Sequence, residues 1–272
     1  MPQNDFVDVL DAVAPGRDDL VTVIQAYFDE SYGPDGLLCV AGYVFTKAGV
    51  RGITGEWGNM LRRYKLPYFR MSDCAHGKGV FANIGRETRD KIAREAIRMA
   101  THYSGFGVAA TISEHEFNEK VPEGPYIGNA RAYEFAVWNC LMGVRQFMRD
   151  AEYKGKAAYF FEAGHRSQSA ANRLMNSLFE SPNMRAEYRY LSHTFVAKEA
   201  GAPIQAADLL AWQFYQDRRR ELAGDKRRKD MEALMSKQAY VFRHINIERH
   251  AQMVQKLMDE ISSEIAAGQD PS

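Results

Sequence analysis

Residues 21–31 read Val-Thr-Val-Ile-Gln-Ala-Tyr-Phe-Asp-Glu-Ser, an apolar and β-branched run that ends on two adjacent carboxylates. The run predicts a buried strand, in which Asp is disfavoured and is costly to bury without a partner. Asp29 and Glu30 therefore need an explanation other than packing. One explanation is a turn, because the sequence Gly-Pro-Asp-Gly at 33–36 is strong turn chemistry. The other is a functional site in which acids gather at the end of a strand.

The composition is that of a globular protein, with 46% hydrophobic and 26% charged residues. Lys+Arg and Asp+Glu both total 35, so no net charge attracts nucleic acid, and such a partner must meet a local patch. Cys39, Cys74 and Cys140 form no CxxC pair, which disfavours a disulfide framework or a zinc ribbon and fits a reducing, cytoplasmic setting. We find no export signal and no apolar run near the ~18 residues of a membrane span, and we expect no membrane partner.

The order of strand and helix patterns predicts an α/β fold with a five-stranded mixed sheet flanked by helices. We divide the chain into an N-terminal extension (1–20), a domain (21–216) with a mostly helical insertion (47–103), and a basic segment with a C-terminal helix packed on the domain (217–272). The predicted strands are 21–31, 37–45, 104–112, 156–162 and 187–196. The predicted helices are 47–64, 87–100, 133–148, 167–179, 204–216 and 247–265, and a Gly/Pro-rich loop is predicted at 122–128.

Two acids later in the sequence favour a functional site, rather than a turn, as the explanation of Asp29. Glu162 closes the fourth predicted strand, and Asp208 lies beside the apolar stripe of the last core helix, where an acid faces the fold. Three converging carboxylates cannot all stay ionised without a cation, so the cluster predicts Mg²⁺ or Mn²⁺ held by oxygen ligands. Phosphodiester hydrolysis by the two-metal scheme is the chemistry that follows. The alternative for Asp208 is a hydrogen bond to Gln205 or to a backbone N–H.

This order of elements, with acids after the first strand, after the fourth strand and on the last helix, resembles the ribonuclease H-like fold. The motifs Tyr-Phe-Asp-Glu-Ser at 27–31 and Ile-Gln-Ala-Ala-Asp-Leu-Leu-Ala at 204–211 also resemble the opening and closing motifs of the uncharacterised family called domain of unknown function 3800. The resemblance spans residues 22–215 and implies that Asp29, Glu162 and Asp208 are catalytic metal ligands. The chain departs from the usual Asp-Glu-Ser-Gly of that family because Tyr32 precedes the glycine.

Glu30 and Ser31 are secondary candidates at the same strand end. Neighbouring strand residues point to opposite faces, so Glu30 joins the metal site only if the strand ends or bulges there. Ser31 shares the face of Asp29 and is a candidate for substrate binding, the alternative being the role of a turn hydroxyl.

Four further residues are candidates for binding substrate, and the first three have a structural alternative. Ser72, in the insertion beside Asp73 and His76, is equally suited to a loop cap. His165 is suited to a phosphate contact or proton transfer, or is a solvent-facing loop residue. The charge of Lys198 suits a phosphate unless Glu199 neutralises it. Gln205 lies on the helix of Asp208.

Arg218–Arg220 and Lys226–Lys229 form the best patch for nucleic acid, because phosphate neutralisation needs clustered cations. Acids interspersed among them favour an ion-paired, solvated face instead. The sequence therefore predicts a divalent-metal-dependent nuclease acting on DNA or RNA. The alternative is a catalytically silent ribonuclease H-like module that binds nucleic acid or a protein partner.

Overall fold

The computed structural model describes residues 22–121, 132–165, 167–237, 239–249, 251–252 and 255–256. The extension predicted at 1–20, the loop predicted at 122–128 and most of the helix predicted at 247–265 lie outside these residues.

Six strands form one mixed sheet in the order β5-β4-β1-β2-β3-β6. β1 pairs antiparallel with β2, and β2 with β3, whereas β4 is parallel to β1, β5 is parallel to β4 and β6 is parallel to β3. The short connection between β1 and β2 makes the hairpin that the turn sequence indicates. The strands are β1 (Val23–Tyr32), β2 (Leu37–Phe45), β3 (Phe106–Ser113), β4 (Lys156–Glu162), β5 (Tyr190–Val196) and β6 (Tyr240–His244).

The expected count of five strands is wrong, because β6 extends the sheet beyond β3. β6 lies in the segment 217–272 that the sequence assigned to a basic region and a helix. It is a five-residue edge strand, and it pairs with a strand more than 120 residues earlier in the chain. A run that short carries little periodicity, and its pairing is decided by a distant partner rather than by local sequence.

Helices cover both faces of the sheet and enclose two apolar cores. One core lies between the sheet and the insertion helices together with α8 and α9. The other lies between the opposite face and α5 and α6. The helices are α1 (Lys47–Tyr64), α2 (Met71–His76), α3 (Arg86–Tyr103), α4 (Glu114–Lys120), α5 (Ala132–Asp150), α6 (Gln168–Glu180), α7 (Pro182–Glu187), α8 (Ala202–Leu222) and α9 (Lys229–Met235).

The helix α8 is the central helix of its layer. It packs against β1 and β2 on one side and against α1 and α3 on the other, and residues 202–215 are all buried. A helix buried on every side has no polar face, so an acid on it must find its partners inside the protein. Within the described ranges, no helix is both long and apolar enough to cross a membrane.

Candidate active site

Three parallel strands bring charged residues to one edge of the sheet. Asp29 lies near the end of β1, Glu162 is the last residue of β4, and Lys198 follows β5 by two residues. The carboxyl ends of adjacent parallel strands meet at the same edge, which is where open α/β sheets place their ligand sites. The chain then turns into α8, which carries Asp208 over this edge.

These four residues form what we call the Lys198 cluster. The ammonium Nζ of Lys198 lies 3.2 Å from Oδ2 of Asp29, 3.1 Å from Oε1 of Glu162 and 2.7 Å from Oδ1 of Asp208. Asp29, Lys198 and Asp208 are buried, whereas the side chain of Glu162 keeps 19% of its surface exposed. The three acids that the sequence singled out therefore meet in space, but they meet around a lysine.

Backbone groups complete part of the cluster. The N–H of Met71 donates to Oδ2 of Asp208 over 2.6 Å, and the N–H of Glu30 donates to Oδ1 of Asp29 over 2.7 Å. Oδ2 of Asp29 is buried and accepts no hydrogen bond from the described residues. The donor at Met71 could not be predicted from the sequence, because every residue except proline carries a backbone N–H.

The charges of the cluster depend on one another. Burial raises the pKa of Asp29 well above its usual range, and Glu162 and Asp208 add to this effect while Lys198 opposes it. Burial acts to raise the pKa of Glu162 as well, but the hydrogen bond with Asp29 and the ammonium of Lys198 outweigh it and lower that pKa. Burial acts to lower the pKa of Lys198, and the three carboxylates outweigh it and raise it. The same set of contacts therefore raises the pKa of Asp29 and lowers that of Glu162.

Lys198 supplies one positive charge to a cluster of three acids. The ammonium of Lys198 contacts all three carboxylates and offsets part of the negative charge for which the sequence predicted a divalent cation. Three carboxylates are still a donor set of hard oxygens suited to Mg²⁺ or Mn²⁺. As the side chains stand, however, the described residues contain no group of three or more His, Cys, Asp or Glu placed to hold a metal ion. The carboxylate oxygens are thus suitable ligands for a divalent cation, but the ammonium of Lys198 occupies the position between them.

Gln205 ties the cluster to the insertion. Its Oε1 accepts hydrogen bonds from Nε1 of Trp57 and from the N–H of Phe69, both over 2.9 Å. Its Nε2 donates to the carbonyl oxygen of Lys198 over 3.0 Å. The substrate-binding role expected for Gln205 stays a prediction, since both ends of its amide already contact protein groups.

Glu30 and His165 lie together on the opposite face of β1. The strand continues to Tyr32, so Glu30 points away from Asp29 as strand alternation requires. Oε1 of Glu30 lies 3.0 Å from Nδ1 of His165 and accepts a hydrogen bond from Tyr32, also 3.0 Å long. The structure therefore separates Glu30 from the three converging acids, and His165 is a buried partner of Glu30 rather than a solvent-facing loop residue.

Ser31 and Ser72 keep their status as candidates. Ser31 lies in β1 opposite Cys39 and is partly buried. Ser72 lies in α2, where its carbonyl oxygen contacts Nδ1 of His76 over 2.7 Å. Arg70 is the residue that the sequence analysis overlooked here. It is exposed, directly precedes the Met71 donor, and its positive charge acts on Glu162 to lower the pKa of that carboxyl.

The arginines of the predicted basic patch form ion pairs. This is the alternative that the interspersed acids favoured. Five arginines of the patch contact a carboxylate, and most of these contacts lie at the protein surface, where they screen the patch from an anionic ligand. The pairs are Arg218–Glu221 (2.8 Å), Arg219–Asp35 (3.1 Å), Arg220–Asp225 (3.7 Å), Arg227–Asp217 (2.8 Å) and Arg228–Asp230 (2.7 Å).

No protein-family model and no curated protein matches the chain. Among solved structures, a chain in the PCNA:RNase HII complex from Archaeoglobus fulgidus is similar at 13% identity, with 91% of each chain covered and a TM-score of 0.36. A TM-score of that size carries no argument about fold or activity. The ribonuclease H-like resemblance therefore stays a prediction made from the sequence.

Proposed function

We propose that the protein is a divalent-metal-dependent nuclease whose active site is the Lys198 cluster. The observation that carries the proposal is the convergence of three acids from β1, β4 and α8 on one cationic centre. A buried ion cluster that served stability alone would balance its charges, because unmatched buried charge is costly. Here the acids outnumber the cation, and buried groups with shifted pKa values are typical of functional sites.

The order of elements supports phosphodiester hydrolysis in particular. β1, β2 and β3 are antiparallel, and β4 and β5 run parallel to β1. Acids at the ends of β1 and β4 and on the helix after β5 are the arrangement that the ribonuclease H-like resemblance implies. Asp29, Glu162 and Asp208 would hold the cation, which when bound supplies Lewis-acid chemistry for attack by water on a phosphodiester.

The distribution of charge supports a polyanionic substrate. The chain is neutral, but residues 47–103 contain twelve Lys and Arg against five Asp and Glu. This insertion borders the site, because Phe69 contacts Gln205 and Met71 contacts Asp208 through their backbone N–H groups. Several of these cations are paired with acids, as in Arg63–Glu95, Arg86–Asp90 and Arg98–Glu56, whereas Arg70 is exposed and its charge acts on Glu162. An exposed cation beside the acids favours a ligand that carries phosphate groups.

Replacement of Arg70 by Ala is expected to weaken nucleic-acid binding about fivefold and to reduce the salt dependence of binding by about one phosphate contact. Arg70 is exposed at the cluster and its side chain does not cap α2, so its loss should leave the fold intact. Fluorescence anisotropy with labelled oligonucleotides, in EDTA to prevent cleavage, measures both quantities. The matched control is Arg218→Ala, because the Arg218 guanidinium is paired with Glu221. Equal losses in the two variants would show that Arg70 has no special place in binding.

The proposed activity is tested by incubating the full chain, freed of metal by chelation, with labelled single- and double-stranded DNA and RNA. We expect cleavage of at least one of these substrates with Mg²⁺ or Mn²⁺ and none in EDTA. If folded protein with millimolar metal cleaves none of them, the nuclease proposal is wrong.

One observation favours a second candidate, the catalytically silent module. Lys198 already supplies a positive charge to all three acids, which is what a site without metal would need. A silent module would bind nucleic acid or a protein partner but would neither bind divalent metal nor cleave. Calorimetric titration with Mn²⁺ separates the two candidates.

A further inference from the structure

We propose that Lys198 is a built-in competitor for the cation site, whose ammonium must leave the centre of the three acids before a divalent cation binds. This inference rests on the proposed function. Its basis is geometric: one ammonium nitrogen lies within 3.2 Å of an oxygen of Asp29, of Glu162 and of Asp208 at once. A divalent cation held by the same oxygens at about 2.0–2.6 Å would need the same place.

The surroundings of Lys198 allow its side chain to move while its backbone stays in place. The carbonyl oxygen of Lys198 accepts a hydrogen bond from buried Gln205, which holds the turn between β5 and α8. The ammonium, by contrast, is at the end of a flexible four-carbon stem. Glu162 is partly exposed, so solvent reaches the cluster beside this carboxylate.

Competition of this kind has a measurable consequence for metal affinity. The apparent affinity for the cation is reduced by the fraction of molecules in which Lys198 has left the centre. Lys198→Met keeps the length of the stem but removes the charge, so every molecule is free to bind metal. If Lys198 is out of the centre in about a tenth of molecules or fewer, the substitution tightens binding about tenfold or more.

The test is the affinity of the full, metal-free chain for Mn²⁺, measured by calorimetry for the original protein, Lys198→Met and Lys198→Arg. We expect Lys198→Met to bind about tenfold more tightly and Lys198→Arg, which keeps the positive charge, to bind no more tightly than the original. Lys154→Met is the control for lost charge in general, since Lys154 is exposed and precedes β4, at the end of that strand opposite Glu162. It should leave the affinity unchanged.

A second measurement does not depend on the folding of any variant. In the original protein, nitrogen NMR of lysine ammonium groups should show one signal protected from solvent exchange, and Mg²⁺ should abolish this protection. The competitor role is wrong if Lys198→Met and the original protein bind Mn²⁺ with equal affinity. It is also wrong if the protected signal survives saturating Mg²⁺. Either result leaves the nuclease proposal standing. Absence of metal binding by all variants overturns both. Binding by Lys198→Met alone supports the competitor role and shows that the original chain is kept metal-free by its own lysine.

Discussion

Asp29→Asn is expected to abolish hydrolysis of nucleic acid while leaving the metal-free protein as stable as the original chain. Burial raises the pKa of Asp29, which favours the neutral carboxyl in the metal-free protein, and an amide of the same shape is neutral as well. The amide lacks the negative charge that holds a divalent cation. We expect activity to fall about a hundredfold or more, since even changes outside the ligand shell of metal sites cost about 10- to 100-fold. The melting temperature in EDTA should change by less than about 3 °C.

The matched control is Asp208→Asn, because Asp208 is the acid nearest to Lys198. It should lose activity as well, but also about 2 kcal/mol of stability, less than a fully broken buried pair because two acids remain. Nuclease assays and thermal melts of both variants give the comparison. An active Asp29→Asn would show that Asp29 is not a ligand, and a melting temperature as low as that of Asp208→Asn would show that Asp29 is ionised in the metal-free protein.

The meeting of the three acids could be predicted because two of them close strong strand patterns and the third lies within a strongly apolar helix. An apolar run with β-branched residues marks β1, an apolar run with three aromatic residues marks β4, and an acid lies at the end of each run. The helix of Asp208 is apolar enough for its acid to face the interior. Once β1 and β4 are neighbours in a sheet, their ends must lie together, and the structure shows them paired in parallel.

The position of Lys198 could not be predicted in the same way, although its signal was present. Lys198 follows the parallel strand β5, so it belongs to the same edge as Asp29 and Glu162. The sequence required a positive charge among three acids, and a metal ion and an ammonium group both meet that requirement. The choice between them depends on whether the lysine stem reaches the acids, which is a matter of distances. The neighbouring Glu199 offered a competing partner, but in the structure Glu199 is exposed and Lys198 points inward.

For Glu30, the face of the strand could be predicted from the sequence, but the partner His165 could not. Strand alternation indicated that Glu30 faces away from Asp29, and the structure has it there. The partner of Glu30 could not be inferred, because His165 reaches it from the loop after β4 rather than from a regular element. β6 was missed for a similar reason, since its pairing with β3 is non-local.

Gln205→Leu is expected to be the most destabilising single change near the site, at about 3–6 kcal/mol. The substitution leaves the N–H groups of Trp57 and Phe69 and the carbonyl of Lys198 buried without their partner, and each such group costs about 1–3 kcal/mol. Thermal and denaturant unfolding should show a melting temperature lower by about 10 °C. Because the turn of Lys198 is released as well, Mn²⁺ affinity should change in the same variant.

Gln213→Leu is the matched control, since Gln213 is equally buried on the same helix. Its Oε1 already lacks a partner among the described residues, and its Nε2 donates only to Asp230, which Arg228 also binds. Leucine there removes one hydrogen bond and one unpaired acceptor, so the net cost should stay near or below about 1 kcal/mol. If the two variants lose equal stability, burial of an amide on α8 explains the effect. A loss confined to Gln205→Leu assigns it to the bonds that join the insertion, α8 and the Lys198 turn.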